Sequence, residues 1–228
     1  MIKNEVKEYF NLLLYMSVIF ISVVSGAYIE TTNFADGFGF DDVIQTCNNS
    51  EKVVLLNITN PQRPINAFIC NILYNTSIIE IVNISHSELT QNWSFCYLNY
   101  YWGTRVAAVY DGTNRIESNG SIAQITFQIK DIGQTSLNIS DIQLSDQYYN
   151  VGTAQAYNTT LIIWQRGDLN DNGDIADIGD VGLMWLAFLG LRPTDCRYDL
   201  NNDGKEASIS DVRLIWQMWQ NKNGNNSR

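Results

Sequence analysis

Residues 167–185 read GDLNDNGDIADIGDVGLMW. Oxygen-bearing side chains stand at alternate positions, Asp168, Asn170 and Asn172; Gly173 follows at once, and Asp180 comes seven residues later, where an apolar run begins. Alternate residues of a tight loop can turn their side chains toward one point, and a glycine permits the left-handed turn that brings a later carbonyl inward. The run 180–190 has helical spacing through Val181, Met184, Trp185 and Phe188, with Gly190 as a stop.

The stretch occurs twice. A shift of 31 residues aligns DLNDNGDIADIGDVGLMWLAF (168–188) with DLNNDGKEASISDVRLIWQMW (199–219), with ten identities in twenty-one positions. Loop–helix units this short must bury their apolar faces on each other. Oxygens at loop positions 1, 3 and 5, a glycine at 6 and a late carboxylate at a helix start describe a loop for a hard cation. Ca²⁺ takes about six to eight oxygens in flexible geometry. The expected ligands are Asp168, Asn170, Asn172 and Asp180 with the Asp174 carbonyl, and Asp199, Asn201, Asp203 and Asp211 with the Lys205 carbonyl, for two Ca²⁺ ions. Without metal the same residues would make Asx-rich turns capping helices, but repetition in one register favours the cation. The second loop has more carboxylates at its first three ligand positions, which predicts tighter binding there. Small helix pairs of this kind usually need their metal to fold.

Working outward, residues 28–165 read as β structure. VVLLNIT (53–59), PINAFICNILYN (64–75), IIEIVNI (78–84), RVAAVYD (105–111), SIAQITFQIK (121–130), TSLNISDIQLSD (135–146) and TTLIIW (159–164) are short runs separated by turn residues. A two-residue period puts Phe68, Cys70, Ile72 and Tyr74 on one face. In 121–130 it puts Ala123, Ile125, Phe127 and Ile129 opposite Ile122, Gln124, Thr126 and Gln128. Many short antiparallel strands predict a sandwich or jelly roll. The predicted architecture is therefore mainly β, with a small all-α domain over 166–222 and a disordered tail over 223–228.

The formal net charge is −10, which excludes nucleic acid as a partner because nothing could neutralise a row of phosphates. The lone histidine, His86, has no nucleophile beside it in sequence and reads as a loop residue. Lys3 and Lys7, an apolar stretch from Phe10 to Val24, and small residues at Ser25-Gly26-Ala27 predict an export signal over residues 1–27, cleaved after Ala27. The mature chain is then secreted or at the cell surface, with no other long apolar run; the alternative is that the N-terminal segment stays as an uncleaved anchor. Nine Asn-x-Ser/Thr sequons, at Asn48, Asn57, Asn75, Asn83, Asn92, Asn119, Asn138, Asn158 and Asn225, fit export. Cys47, Cys70, Cys96 and Cys196 lack zinc spacing; if they pair, three connectivities are open. Cys70, alternating with Phe68 and Ile72, also fits a buried free thiol.

Segment 167–220 resembles a type I dockerin, two F-hand repeats of the form D-x-N-x-[DN]-G followed by an Asp and a helix. It departs in one place: the final Asp falls at loop position 13 rather than 12 in both copies, and Asp177 stands at position 10 of the first. INAFICNILYNTSIIEIVNI (65–84), SNGSIAQITFQIK (118–130) and LNISDIQLSD (137–146) are similar to strands of cohesin modules. Carbohydrate-binding modules share this jelly roll.

These resemblances imply a non-catalytic extracellular protein that makes calcium-dependent contacts with cohesin- or dockerin-bearing partners or with copies of itself, tied to polysaccharide binding or breakdown. Ile178, Gly179, Ile209 and Ser210 correspond to dockerin recognition positions; alternatively, Ile178 and Ile209 pack between the repeats. With only Gln165 and Arg166 between the domains, about 7 Å extended, self-docking is sterically hard. The competing expectation is a sugar-binding module that uses Trp93, Tyr100, Tyr101 and Trp102 as a flat aromatic row. An enzyme is not expected, since Asp41, Asp42, Glu80 and Asp111 fall in no paired motif.

Overall fold

The computed structural model describes residues 32–48, 51–112 and 114–224. The expected leader over 1–27 and the Asn225 sequon lie outside them. Among the described residues, eleven strands precede the first helix: β1 (Asn33–Gly39), β2 (Ile44–Cys47), β3 (Glu51–Pro61), β4 (Ala67–Leu73), β5 (Ile79–Ser85), β6 (Ser94–Tyr100), β7 (Gly103–Val109), β8 (Gly120–Ile129), β9 (Gly133–Ser145), β10 (Val151–Tyr157) and β11 (Thr159–Trp164). Hydrogen bonding runs β5-β8-β3-β1-β10-β9-β4-β7-β6, and β11 joins β9 to β2. The ladder is antiparallel except where β1 meets β10 and β11 meets β2. It folds into a sandwich with β5, β8, β3 and β1 in one layer and β9, β4, β7 and β6 in the other. The outer edges approach at β5 and β6. There the Tyr97 hydroxyl donates to the Val82 carbonyl (2.7 Å) and the Asn99 amide to the Ile81 carbonyl (2.9 Å).

The core follows the two-residue period. Phe68, Cys70, Ile72 and Tyr74 are all buried. Phe68 sits among Phe38 (5.5 Å), Trp93 (6.1 Å) and Phe95 (6.1 Å). Strand β8 departs from strict alternation, because Ile122, expected beside Gln124 on the outer face, is as fully buried as Ala123. Leu56 pairs with Ala123 but Asn57 pairs with Ser121, so Ile122 is the extra residue of a β-bulge, which re-aims its side chain inward. Cys70 is a free thiol, its pKa pushed up to about 12 by burial. Cys96 is also free, and half-buried.

At the end of β9, Asp146 organises the turn into β10. Its carboxylate accepts the N–H groups of Tyr148 (2.8 Å) and Asn150 (3.0 Å) and the Asn150 amide (2.9 Å), with Arg63 at 3.2 Å. Burial alone would raise its pKa, but the Asn150 and Tyr148 bonds and Arg63 outweigh burial and lower it. A depressed carboxylate stabilises the fold above its unfolded pKa of about 3.9, and that contribution is lost as pH falls through the lower folded value. Asp146→Asn is therefore expected to cost about 1–3 kcal/mol near neutrality. Denaturant titration should show the gap closing as pH falls below that window; a gap unchanged at low pH would refute the assignment.

A second core lies beyond Trp164. Helices α1 (Ile178–Phe188) and α2 (Ile209–Gly224) flank a short 3-10 turn, Cys196–Tyr198. Val181, Met184 and Ala187 of α1 pack with Val212 and Ile215 of α2, over Leu169 and Tyr198. The buried stripe is thus Val181-Met184-Ala187. Trp185 and Phe188, which the helical spacing had grouped with it, stay 44% and 40% exposed. Asp177 caps α1 through a reciprocal box: its side chain accepts the Asp180 N–H (2.9 Å) while Asp180 accepts the Asp177 N–H (3.0 Å). Gly190, at φ 71°, ends the helix as expected; Gly190 N–H donates to the Ala187 carbonyl and Leu191 N–H to that of Leu186. Helix α2 takes in Asn223 and Gly224, which the sequence had placed in a disordered tail. Among the described residues no helix is long and apolar enough to cross a membrane.

The two cores are bolted together. Cys47, at the end of β2, is disulfide-bonded to Cys196, which settles the pairing. Arg197 lies over the Trp164 ring at 4.5 Å and pairs with Asp195 at 2.7 Å. Gly167 N–H donates to the Arg197 carbonyl (3.1 Å), and Asn48 N–H to that of Trp164 (3.0 Å).

Candidate functional site

The two loops have the same backbone course. Gly173 and Gly204 take φ 84° and 82°, the left-handed turn expected of them. The first residue of each loop is nearly buried and folds the loop around its carboxylate. Asp168 accepts the N–H groups of Asn172 (3.1 Å) and Gly173 (2.9 Å); Asp199 accepts those of Asp203 (3.1 Å) and Gly204 (3.1 Å). The third and fifth residues repeat the pattern: Asn170 accepts from Asn172 N–H and Asn172 from Asp174 N–H, as Asn201 does from Asp203 N–H and Asp203 from Lys205 N–H. The Asp174 side chain turns outward to Lys222 at 2.6 Å.

The late carboxylates are tied to the main chain at the start of their loops. Asp180 and Asp211 are fully buried. Asp180 accepts the N–H groups of Leu169 (2.8 Å), Asn170 (3.1 Å) and Asp177 (3.0 Å). Asp211 accepts those of Leu200 (2.8 Å), Asn201 (3.2 Å) and Ser208 (2.9 Å) and the Ser208 hydroxyl (2.6 Å). Each ties the start of its helix to the start of its loop. In the first loop it is Asp177 that meets the other polar side chains: the Asn172 amide donates to it at 2.7 Å and the Asn170 amide at 3.3 Å. The Asn172 amide, then the Asp180 N–H, hold its carboxyl down to about 2, whereas burial pushes Asp180 upward. In the second loop Ser208 takes the place of Asp177, and the extra carboxylate is Asp203, met by the Asn201 amide at 3.0 Å.

The donor set can be tested against a cation. Among the described residues no three His, Cys, Asp or Glu side chains close on one point. Each loop instead combines two carboxylates, Asp168 with Asp177 or Asp199 with Asp203, with amide and main-chain oxygens. The amide N–H groups of Asn170 and Asn172 stand against Asp177 where a positive charge would. Turned over, the same amides present oxygen. An all-oxygen, low-charge, flexible set suits Ca²⁺ rather than a transition metal.

The isoleucines matched to dockerin recognition positions face solvent. Ile178 and Ile209 are 65% and 62% exposed, which overturns packing between the repeats. Gly179 lies close to the first loop, where an added Cβ would come within 2.8 Å of the Asn170 amide. Ile209 and Ser210 line an apolar groove of about 890 Å³ with Trp185, Val212, Leu214 and Trp216. A second surface was not legible in the sequence. Asn71 of β4 pairs with Arg105 of β7, Ile69 with Gln143 of β9, and Arg105 with Leu98 of β6, so these residues share the outer face of one layer. Among the described residues, Asn71 Oδ1, Arg105 Nε and Gln143 Oε1 are buried there without a hydrogen-bond partner, and Leu98 beside them is 59% exposed.

The aromatic span makes no flat row. Trp93, expected on a sugar platform, is in the core and donates from Nε1 to the Asn114 carbonyl (2.6 Å). Tyr100 and Trp102 stack on one another at 4.9 Å, each covering a face of the other, while Tyr101 stands 90% exposed at the turn between them. His86 meets the Thr90 carbonyl through Nδ1 (3.0 Å) and packs edge-on against Phe95. Of the acids singled out, Glu80 is held by Lys130 (2.8 Å) and Asp41 by Asn57 (2.8 Å).

No family model and no curated protein matches the chain. Solved structures do. The chain is similar to a cohesin of a type I cohesin–dockerin complex from Clostridium thermocellum, at TM-score 0.52 and 17% identity over 61% of this chain and 99% of that one. It is similar to the cohesin module of a Clostridium perfringens family 33 glycoside hydrolase, at TM-score 0.50 and 14% identity over 59% of this chain and 100% of that one. The β part of the chain therefore has the cohesin fold.

Proposed function

We propose that the chain is a non-catalytic extracellular assembly protein carrying two unlike docking surfaces, one on the cohesin-fold sandwich and one on a calcium-held helix pair. The observation that carries this reading is the outer face of β9, β4 and β7. Buried polar atoms without partners are rare and costly, and Asn71, Arg105 and Gln143 supply three on one patch beside exposed Leu98. On docking, a change of rotamer of the kind common at interfaces would turn these atoms toward the partner's polar groups. The groove between the helices, with Ile209, Trp185 and Trp216, has the apolar, aromatic character of a binding hot spot.

Calcium fits the loops through Asp168, Asn170, Asn172 and Asp177 in the first and Asp199, Asn201 and Asp203 in the second, with the Asp174 and Lys205 carbonyls. Asp180 and Asp211 act behind them, fastening helix to loop. The ion would supply fixed positive charge; the side chains orient the loop and the helix it starts. An extracellular setting is supported by the Cys47–Cys196 disulfide and by exposed sequon asparagines such as Asn83 and Asn138. Partners are dockerin- or cohesin-bearing proteins, other copies of this chain included.

Sedimentation of the full chain in calcium, alone and with dockerin- and cohesin-bearing proteins, tests the reading. Association is expected, abolished by chelator, and weakened about thirtyfold or more by Trp216→Ala for the groove or Arg105→Ala for the sheet face. A chain that stays monomeric and binds neither class overturns it.

A further inference from the structure

We propose that Arg166 is a built-in competitor of the second cation loop, so that the two loops fill in order, the first ahead of the second. This rests on the calcium reading above.

The backbones do not distinguish the loops. Asp171 and Asn202 take φ 60° and 59°, and Ala176 and Ala207 take 55° and 52°. The difference lies in two arginines at equivalent places, Arg166 ahead of the first loop and Arg197 ahead of the second, 31 residues apart. Arg166 crosses to the other repeat. Its guanidinium bonds the Asp199 carbonyl, stands 3.5 Å from the Asp199 carboxylate, and donates to Asn202 Oδ1 at 2.8 Å. The same symmetry would carry Arg197 to Asp171 and the first loop. Instead the sandwich diverts it: Arg197 lies over Trp164 and pairs with Asp195. Among the described residues no Lys or Arg forms an ion pair with Asp168.

A guanidinium does not deprotonate in proteins, so the charge beside Asp199 is permanent. The Arg166 side chain is 15% exposed and that of Asp199 8%, so solvent ions screen the pair weakly. A divalent ion entering the second loop meets this charge beside its first ligand, whereas at the first loop Lys222 pairs with the outward Asp174 side chain and Arg197 with Asp195, and neither forms an ion pair with Asp168. By count the loops are equal, with Asp168 and Asp177 in the first and Asp199 and Asp203 in the second, so the arginine beside Asp199 sets the order.

The loops can be read separately. The N–H groups of Gly173 and Gly204 donate to Asp168 and Asp199, so each amide resonance reports the charge state of its own loop. Calcium titration of the intact, oxidised chain should move the Gly173 signal first, at a concentration about tenfold or more below Gly204. In Arg166→Gln the Gly204 midpoint should shift toward that of Gly173, which stays put; Arg166→Lys should keep most of the gap. Gly204 moving first or together with Gly173 in the unmodified chain overturns the proposal, and so does an unchanged gap in Arg166→Gln. If neither signal responds to calcium, the calcium reading itself fails, and this inference with it.

Discussion

Chelation of calcium is expected to melt the helix pair at a temperature where the sandwich is still native, splitting unfolding into two transitions. The helix pair has a small core, built on Val181, Met184, Val212 and Ile215. Units of this size need a staple. Its loops join Asp168 and Asp177 through Asn172, and Asp199 and Asp203 through one hydrogen bond, and among the described residues N–H groups and Arg166 offset that charge. At calcium about a thousandfold above Kd, each site contributes about 4 kcal/mol. In so small a unit each kcal/mol moves the midpoint by roughly 4–8 °C, so chelation should lower it by some tens of degrees. Near-ultraviolet dichroism reads this directly, because Trp185, Trp216 and Trp219 belong to the helix pair and Trp93 to the sandwich core. A melt identical with and without EDTA would refute the cation reading.

Breaking the Cys47–Cys196 bond should have the next largest effect. The bridge spans 149 residues, and in the chain-entropy picture closing a loop of that size is worth about 5 kcal/mol. Cys196→Ser should lower the midpoint of the helix pair first, because the remaining ties are Arg197 over Trp164, Arg166 at the second loop and a few main-chain bonds. Cys96→Ser, which removes a free thiol, is the control. If reductant leaves a single transition at its original temperature, the bridge does not carry the junction.

What the sequence made legible follows from how each segment earns its place. The repeat was readable because loop chemistry is local: position, glycine and capping carboxylate lie within a few residues. Strands β3, β4, β8 and β9 were readable because one face of each is apolar and in phase. The strands β1, β2, β6 and β10 were missed for physical reasons. β1 carries Gly37 and Gly39, and β2 has four residues. β10 is VGTAQAY, with little apolar weight, and is held by neighbours on both sides. β6 read as an aromatic cluster because Trp93 and Phe95 flank its start without showing which turns inward. Ile122 broke its alternation through a bulge that only the pairing with β3 reveals. Asp180 and Asp177 compete for one role at the sequence level; burial and N–H partners separate them. The outer-face triad of Asn71, Arg105 and Gln143 comes from three strands far apart in the chain, a juxtaposition that pairing alone creates.

The bolted junction also fixes a geometry. With Cys47 tied to Cys196 and Arg197 clamped on Trp164, the angle between the groove and the outer sheet face is braced. If copies join groove to sheet, each contact is head to tail, and every new copy repeats the same rotation. Such contacts close into rings when the rotations sum to a full turn and otherwise wind into helical fibres. The pitch of any such fibre would then be encoded in one disulfide-braced elbow between a strand end and a single turn of 3-10 helix.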